Sequence, residues 1–286
     1  MSVINTNVNS LIAQNAVNVN ARALSSAMEQ LSTGKRINGA KDDAAGLSIT
    51  QIMTAQIRGL NMAVRNANDG ISLLQTADGA MVEQTNMMQR MRELAVQAAS
   101  DTVTISQKAF LNDEFVALRT EINRIGNNTM WNDTKLLNGT AAPTGTANTY
   151  KFQVGSTSTT IDVTIPTALT TGGAAGAGTP IYTAIDTATI ATAAGADAAI
   201  ATLDTALNEG NKARSKIGAA INQLTYAADN LSNISMNTAA SRSRIEDTDY
   251  ATASTELART QIIQQAATAM LAQANQSPQS VLALLK

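Results

Sequence analysis

Residues 53–99 read MTAQIRGLNMAVRNANDGISLLQTADGAMVEQTNMMQRMRELAVQAA, and the spacing of their apolar side chains decides the fold. Met53, Ile57, Leu60, Val64, Ala67, Ile71 and Leu74 fall at alternating intervals of four and three, the pattern of a coiled-coil seam. Asp78 and Thr85 interrupt one row of that seam, while Met81, Met88 and Ala95 continue the other. A helix over 43–99 rises about 1.5 Å per residue and reaches on the order of 85 Å, a rod rather than a globular element.

The rest of the chain extends the pattern. Its prolines are Pro143, Pro166, Pro180 and Pro278, so 1–142 and 181–277 hold none. An interior proline costs a helix about 3 kcal/mol, so both blocks are free to be helical. Phe110, Leu111, Phe115, Leu118, Ile122 and Ile125 mark a second, shorter helix that ends near Gly126. Ile217, Ile221, Leu224, Ala228 and Leu231 repeat the seam. So do Ile263, Ala267, Met270, Ala274, Val281 and Leu284, with polar Ser277 among them. Near the N-terminus, Ile4, Val8, Leu11, Ala16, Val19, Ala23, Ala27 and Leu31 line a weaker face among Asn, Ser and Gln.

Residues 140–196 are a different polymer, rich in Thr, Ala and Gly. They carry the strand signals: Tyr150–Val154 and Thr160–Ile165 alternate, with GSTST between them as the turn of a hairpin. The expected fold is therefore mainly α: long coiled-coil or bundle rods from paired N- and C-terminal segments, with a small β-hairpin insert. Full burial of an Ile or Leu yields about 1.5–3 kcal/mol, while ordering each residue costs about 1–2 kcal/mol of backbone entropy. A lone pair of narrow, Ala-rich terminal helices is marginal by that balance, and the expectation is that they are disordered in the monomer and fold when many copies pack together.

Composition removes several chemistries. The 286 residues include no His and no Cys, which excludes a catalytic triad, a thiol nucleophile, a zinc finger, a haem ligand and a disulfide. Twenty Lys+Arg stand against 22 Asp+Glu, a net charge of −2 without a basic run, so nothing marks a nucleic-acid footprint. Hydrophobic residues make up 44% of the chain, aromatics only 3%, and alanine alone supplies 51 residues, which suits close helix contacts. No stretch approaches the roughly 20 apolar residues of a spanning helix. The first positive charge is Arg22, so a standard secretory signal is not expected, and membrane insertion is not expected either.

Individual motifs have structural readings. Asp42-Asp43 and Asp247-Thr-Asp249 are read as helix N-terminal residues and solvated faces rather than acid/base pairs. GGAAGAG at 172–178 fits no phosphate loop and reads as linker. Asn127-Asn-Thr129, Asn132-Asp-Thr134 and Asn138-Gly-Thr140 match a glycosylation pattern that this composition makes common. Met81, Met87, Met88 and Met91 read as core filling. Arg90, Glu93, Leu94 and Gln97 share one helical face, either an ordinary solvated surface or an interface anchored by an exposed Leu94. No cofactor or metal site emerges.

Three long runs together resemble bacterial flagellin: LSTGKRINGAKDDAAGLSIT (Leu31–Thr50), QRMRELAVQAA (Gln89–Ala99), and the segment that begins SRIEDTDYATASTELARTQIIQQAATAMLAQANQ at Ser243. The likeness covers about the first 140 and last 85 residues and leaves out the middle. It implies a subunit that is exported unfolded through the flagellar type III apparatus and polymerises at the filament tip beneath a cap protein. That corrects the cytoplasmic location suggested by the missing signal: the expected place is extracellular, in the filament. It implies that 1–42 with 248–286 line the channel and 43–140 with 197–247 form the outer tube. It leaves 141–196 as a short variable surface region with the hairpin. Expected partners are further copies of the chain, the cap, hook–filament junction proteins and an export chaperone.

Two recognition segments follow from the same resemblance. Arg90, Leu94 and Glu114 match positions through which such flagellins contact a vertebrate Toll-like receptor. Leu31–Thr50 matches the peptide seen by a plant receptor kinase, although Gln30 stands where many members have Arg. Leu118 departs from the polar residue that some receptor-activating members carry. The seam Ile263, Ala267, Met270, Ala274, Val281 and Leu284 is the expected polymerisation surface. The alternative is a hook–filament junction or cap protein, which would not be expected to keep both QRMRELAV and RIEDTDYA.

Overall fold

Leu60, Ala67, Leu74, Met81, Met88 and Ala95 recur every seventh residue, and all are buried. They belong to one helix, α2 (Ala44–Ala99), in a computed structural model that describes residues 7–138, 149–155, 159–165, 185 and 187–283, with side chains to Gln276. Ile4, the glycine run at 172–178, the centre of the hairpin turn, Gly139–Thr140 and Leu284 lie outside these residues, as does the side chain of Val281. The other helices are α1 (Val8–Thr33), α3 (Ile105–Asn128), α4 (Ala193–Glu246) and α5 (Tyr250–Ala283). The strands are β1 (Met130–Trp131), β2 (Thr134–Lys135), β3 (Thr149–Gln153) and β4 (Thr160–Thr164). The chain forms two compact units: Arg58–Ser235, and Met1–Ile57 with Met236–Lys286.

In the Arg58–Ser235 unit, the second buried row of α2 is Ala63, Gly70, Ala77, Gln84, Met91 and Ala98. The expected second row, with Val64 and Ile71, instead flanks the core half-buried. Small residues predominate in this row, and α4 buries small residues of its own, Ala199, Ala206, Gly210 and Ala213, together with Leu203 and Ile217. The two helices run antiparallel. Arg92 Nε donates to Asp204 Oδ1 at 2.6 Å, Arg214 Nε to Asp78 Oδ1 at 2.9 Å, and Ser235 Oγ to Asn61 Oδ1 at 2.9 Å. Asp78, an interruption in the sequence pattern, is thus the flanking partner of an arginine. Arg92 in turn holds the Asp204 carboxyl below its usual value, chiefly by their hydrogen bond.

The third helix of this unit, α3, starts with a capping box. Thr104 accepts from the Gln107 N–H at 3.4 Å, and the Gln107 side chain accepts from the Thr104 N–H at 3.0 Å. Its buried row runs Lys108, Phe115, Ile122. Phe110, expected among the core residues, is 73% exposed. Five residues at about 100° each place it some 140° around the helix from Phe115. Gln84 Nε2 donates to the Ile122 carbonyl at 3.1 Å, while its buried Oε1 has no partner.

Two hairpins close the unit. The β1–β2 turn is Asn132-Asp133 with φ of 46° and 63°, the left-handed pair that a two-residue hairpin demands. Those residues had suggested only a glycosylation pattern. In β3–β4, Tyr150 pairs with Val163 and Phe152 with Ile161, within one residue of the expected strand limits. Tyr150, Val154, Val163 and Ile165 join the core. Gly70 makes room for this hairpin, because a Cβ there would lie 2.8 Å from the Phe152 ring. Gly70→Val is expected to cost about 1–3 kcal/mol by overpacking. Denaturant unfolding of the variant, followed by helical signal, measures that cost.

In the other unit, α1 and α5 pack antiparallel. Asn7 Nδ2 donates to the Ala274 carbonyl at 2.7 Å, and Asn20 Nδ2 to the Thr260 carbonyl at 2.8 Å and Gln264 Oε1 at 2.9 Å. The inward row of α1 is Ala13, Val17, Asn20, Leu24, Ala27 and Leu31. Val8, Leu11, Ala16 and Val19, expected inside, face outward and are exposed. Asn20 takes the inner position because α5 offers it two acceptors, and the row's phase follows from that.

The ends of these helices are held by side-chain and backbone caps. Gly34 takes φ 70° as the C-cap of α1, donating to the Gln30 carbonyl at 2.9 Å. The Arg36 N–H meets the Glu246 carbonyl at 2.7 Å, the Thr248 N–H meets the Gly34 carbonyl at 3.0 Å, and Lys35 Nζ pairs with Glu246 at 2.5 Å. So two of the runs that carry the flagellin likeness, LSTGKRIN and RIEDTDY, meet in a β-bridge between Lys35 and Asp247. Asp43 Oδ1 accepts the Gly46 N–H at 2.8 Å, Asp42 Oδ2 accepts the Gly39 N–H at 3.0 Å, and Asp249 Oδ1 accepts the Ala251 N–H at 2.9 Å. Of the carboxylates set apart in the sequence, Asp43 and Asp249 cap the starts of α2 and α5, Asp42 ties the loop before α2, and Asp247 accepts from the Ser243 hydroxyl at 2.6 Å.

Candidate assembly and recognition surfaces

The α1/α5 pair buries little and exposes much. Val8, Leu11, Ile12 and Val19 on α1, and Ile262, Ile263 and Met270 on α5, all face outward. Ile12, Ala13 and Ala16 face Ile263, Ala267, Met270 and Ala274 across an apolar groove of about 650 Å³. Of the expected seam, Ala267 and Ala274 are half-buried against α1. Ile263 is 38% and Met270 65% exposed, so these two point to the groove's open side. Ile12 and Ile262 were missing from the sequence reading, although their outward position continues its apolar stripe. Contiguous exposed apolar surface of this kind marks an interaction site.

A second surface lies on α2 and α3. Arg90 Nε donates to Glu114 Oε1 at 3.0 Å and Arg90 Nη1 to Glu93 Oε2 at 3.0 Å. These bonds, first to Glu93 and then to Glu114, hold the guanidinium more firmly protonated than usual. Leu94 does not join them: it is 1% exposed and packs in the core. It stands three residues after Met91 and four before Ala98, both buried, on a stripe widened by a third helix. The exposed apolar neighbour of this patch is Phe110, one turn before Glu114 on α3.

Among the described residues, no group of three or more acidic side chains is placed to hold a metal ion, and no helix is long and apolar enough to cross a membrane.

Residues 4–142 match the bacterial flagellin N-terminal helical region, and residues 200–285 match the bacterial flagellin C-terminal helical region. The chain belongs to the bacterial flagellin family. Flagellins are a structural protein family, which makes this chain a structural subunit of the extracellular flagellar filament. A flagellin of Halalkalibacterium halodurans is 44% identical over 292 residues, covering 99% of this chain and 100% of the relative. Flagellin C of Vibrio cholerae is 35% identical over 372 residues, covering 99% of each. That alignment is longer than this 286-residue chain, so the Vibrio flagellin carries insertions relative to it.

Among solved structures, a Bacillus cereus flagellin is 28% identical with a TM-score of 0.49, covering 58% of this chain and 88% of its own. A putative flagellar hook-associated protein from Vibrio parahaemolyticus superposes with a TM-score of 0.60 at 16% identity, covering 72% of this flagellin and 100% of its own chain. The second likeness speaks for the fold alone.

Proposed function

We propose that the chain is exported by the flagellar type III apparatus and polymerises at the filament tip by burying the outward apolar rows of α1 and α5. The observation that carries this reading is the exposure of Ile12, Ile262, Ile263 and Met270 on a helix pair with little core of its own. Residues 1–42 with 248–286 line the channel in this reading, and 43–140 with 197–247 form the outer tube around it. The 141–196 region is then the variable outer surface. Seam residues Ile263, Ala267, Met270, Ala274, Val281 and Leu284 meet neighbouring copies, and the cap, hook–filament junction proteins and export chaperone engage the same chain. Addition of purified monomer to filament fragments, followed by electron microscopy, is expected to lengthen them; unchanged fragment lengths would overturn the reading.

The free monomer also presents Arg90 and Glu114 to the Toll-like receptor, and Leu31–Thr50 to the plant receptor kinase. Burial of Leu94 gives it a supporting role beneath that patch, and makes Leu94→Ala a core substitution rather than a surface probe. The exposed pair is the better probe. Arg90→Ala combined with Glu114→Ala is expected to lower receptor signalling by monomer at least about ten-fold, equivalent to 1.4 kcal/mol of binding. The variant's helical signal should stay unchanged. Equal potency of variant and parent would reject the receptor surface.

A further inference from the structure

Without cysteine, this chain's readily oxidised sulfur lies in its eleven methionines, and the fold sorts them. Met81, Met88 and Met91 are buried in the helical core. Met28, Met62, Met130, Met236 and Met270 are about half exposed or more, and of these Met270 lines the α1/α5 groove with Ile12 and Ile263. Its thioether is reachable in the free chain and sits among apolar partners.

We propose that Met270 is an oxidation site at which a hydroperoxide reversibly removes a subunit from assembly, an inference that rests on the assembly reading above. A sulfur lone pair attacks the distal peroxide oxygen, the O–O bond breaks, and an S–O bond forms. The thioether loses two electrons, and the peroxide is reduced to water or an alcohol. The product sulfoxide is polar and strongly hydrogen-bonding. The groove is lined mainly by Ile and Ala, with Asn9 and Gln273 as its polar members. Burying a sulfoxide there costs more than burying the thioether, so an oxidised subunit is disfavoured when the groove closes on a neighbour. Sulfoxide reductases, supplied with two electrons and two protons by a dithiol that is oxidised to a disulfide, release the oxygen as water and regenerate the thioether and with it the subunit.

The test uses the full chain and needs no variant. Monomer is partly oxidised with hydrogen peroxide, the peroxide is removed, and the chain is added to filament fragments. Pelleted polymer and supernatant are then compared by mass spectrometry for sulfoxide at each methionine. Sulfoxide at Met270 is expected to be about ten-fold depleted in the polymer, or about 1.4 kcal/mol, while that at Met62 and Met130 divides evenly. Treatment of the supernatant with both classes of methionine sulfoxide reductase should return it to the polymerising pool. Equal Met270 sulfoxide in both fractions, or no recovery after reduction, would overturn the inference while leaving the assembly reading intact. Failure of untreated chain to elongate the fragments would overturn both.

Discussion

Deletion of Ala267–Lys286 is expected to abolish elongation of filament fragments while leaving the Arg58–Ser235 unit folded. The cut removes Ala267, Met270 and Ala274 from the groove, together with the Ala274 carbonyl that accepts from Asn7 and the Asn275 carboxamide that accepts from Ser10 at 2.8 Å. The first turns of α1 then lose their partner, and short helical segments alone are marginal in water. Among the described residues, no hydrogen bond or ion pair of the α2/α3/α4 bundle involves the deleted segment, so that unit keeps its core. Circular dichroism should show helix lost only in proportion to the terminal pair, with a cooperative transition retained. Elongation at the parent rate would remove α5 from the assembly surface.

Phe115→Ala is expected to destabilise the Arg58–Ser235 unit by about 3–5 kcal/mol, the range for emptying an aromatic site in a packed core. Phe115 is the largest of the fully buried side chains, and it joins Met88, Met91 and Leu94 in the same core cluster. A unit built from Ala-rich seams has few large side chains with which to refill that space. Natural domains hold only about 5–15 kcal/mol in total, so the variant's denaturation midpoint should fall steeply. The surface neighbour Phe110 gives the internal contrast. Phe110→Ala is expected to leave the midpoint nearly unchanged, and similar losses at the two sites would contradict the assigned helix phase.

The fold class and one buried row were legible because they are written mostly in large residues: Leu60, Leu74, Met81 and Met88 share one seven-residue repeat with Ala67. The facing row was not, because Ala63, Gly70, Ala77 and Gln84 lack the hydrophobicity that marks a seam. Ala63 and Ala77 are too small to mark a seam. Gly70 is small where Phe152 packs over it, and Gln84 is buried where it reaches the Ile122 carbonyl, both of which are properties of the partners. Asn20 misled the reading of α1 for a related reason: its carboxamide is buried because Thr260 and Gln264 accept from it, 240 and 244 residues away. Leu94 reads as exposed beside Arg90, Glu93 and Gln97 until the third helix is placed. The β3–β4 hairpin was plain from alternation, whereas the Asn132-Asp133 turn was hidden by the shortness of its strands.

The central claim is that the outward apolar rows of α1 and α5 are the surface through which copies of this flagellin join. A filament reconstruction at side-chain resolution tests it most directly. The account predicts Ile12, Ile263 and Met270 buried against neighbouring subunits. Filaments in which these three side chains remain open to solvent would contradict it.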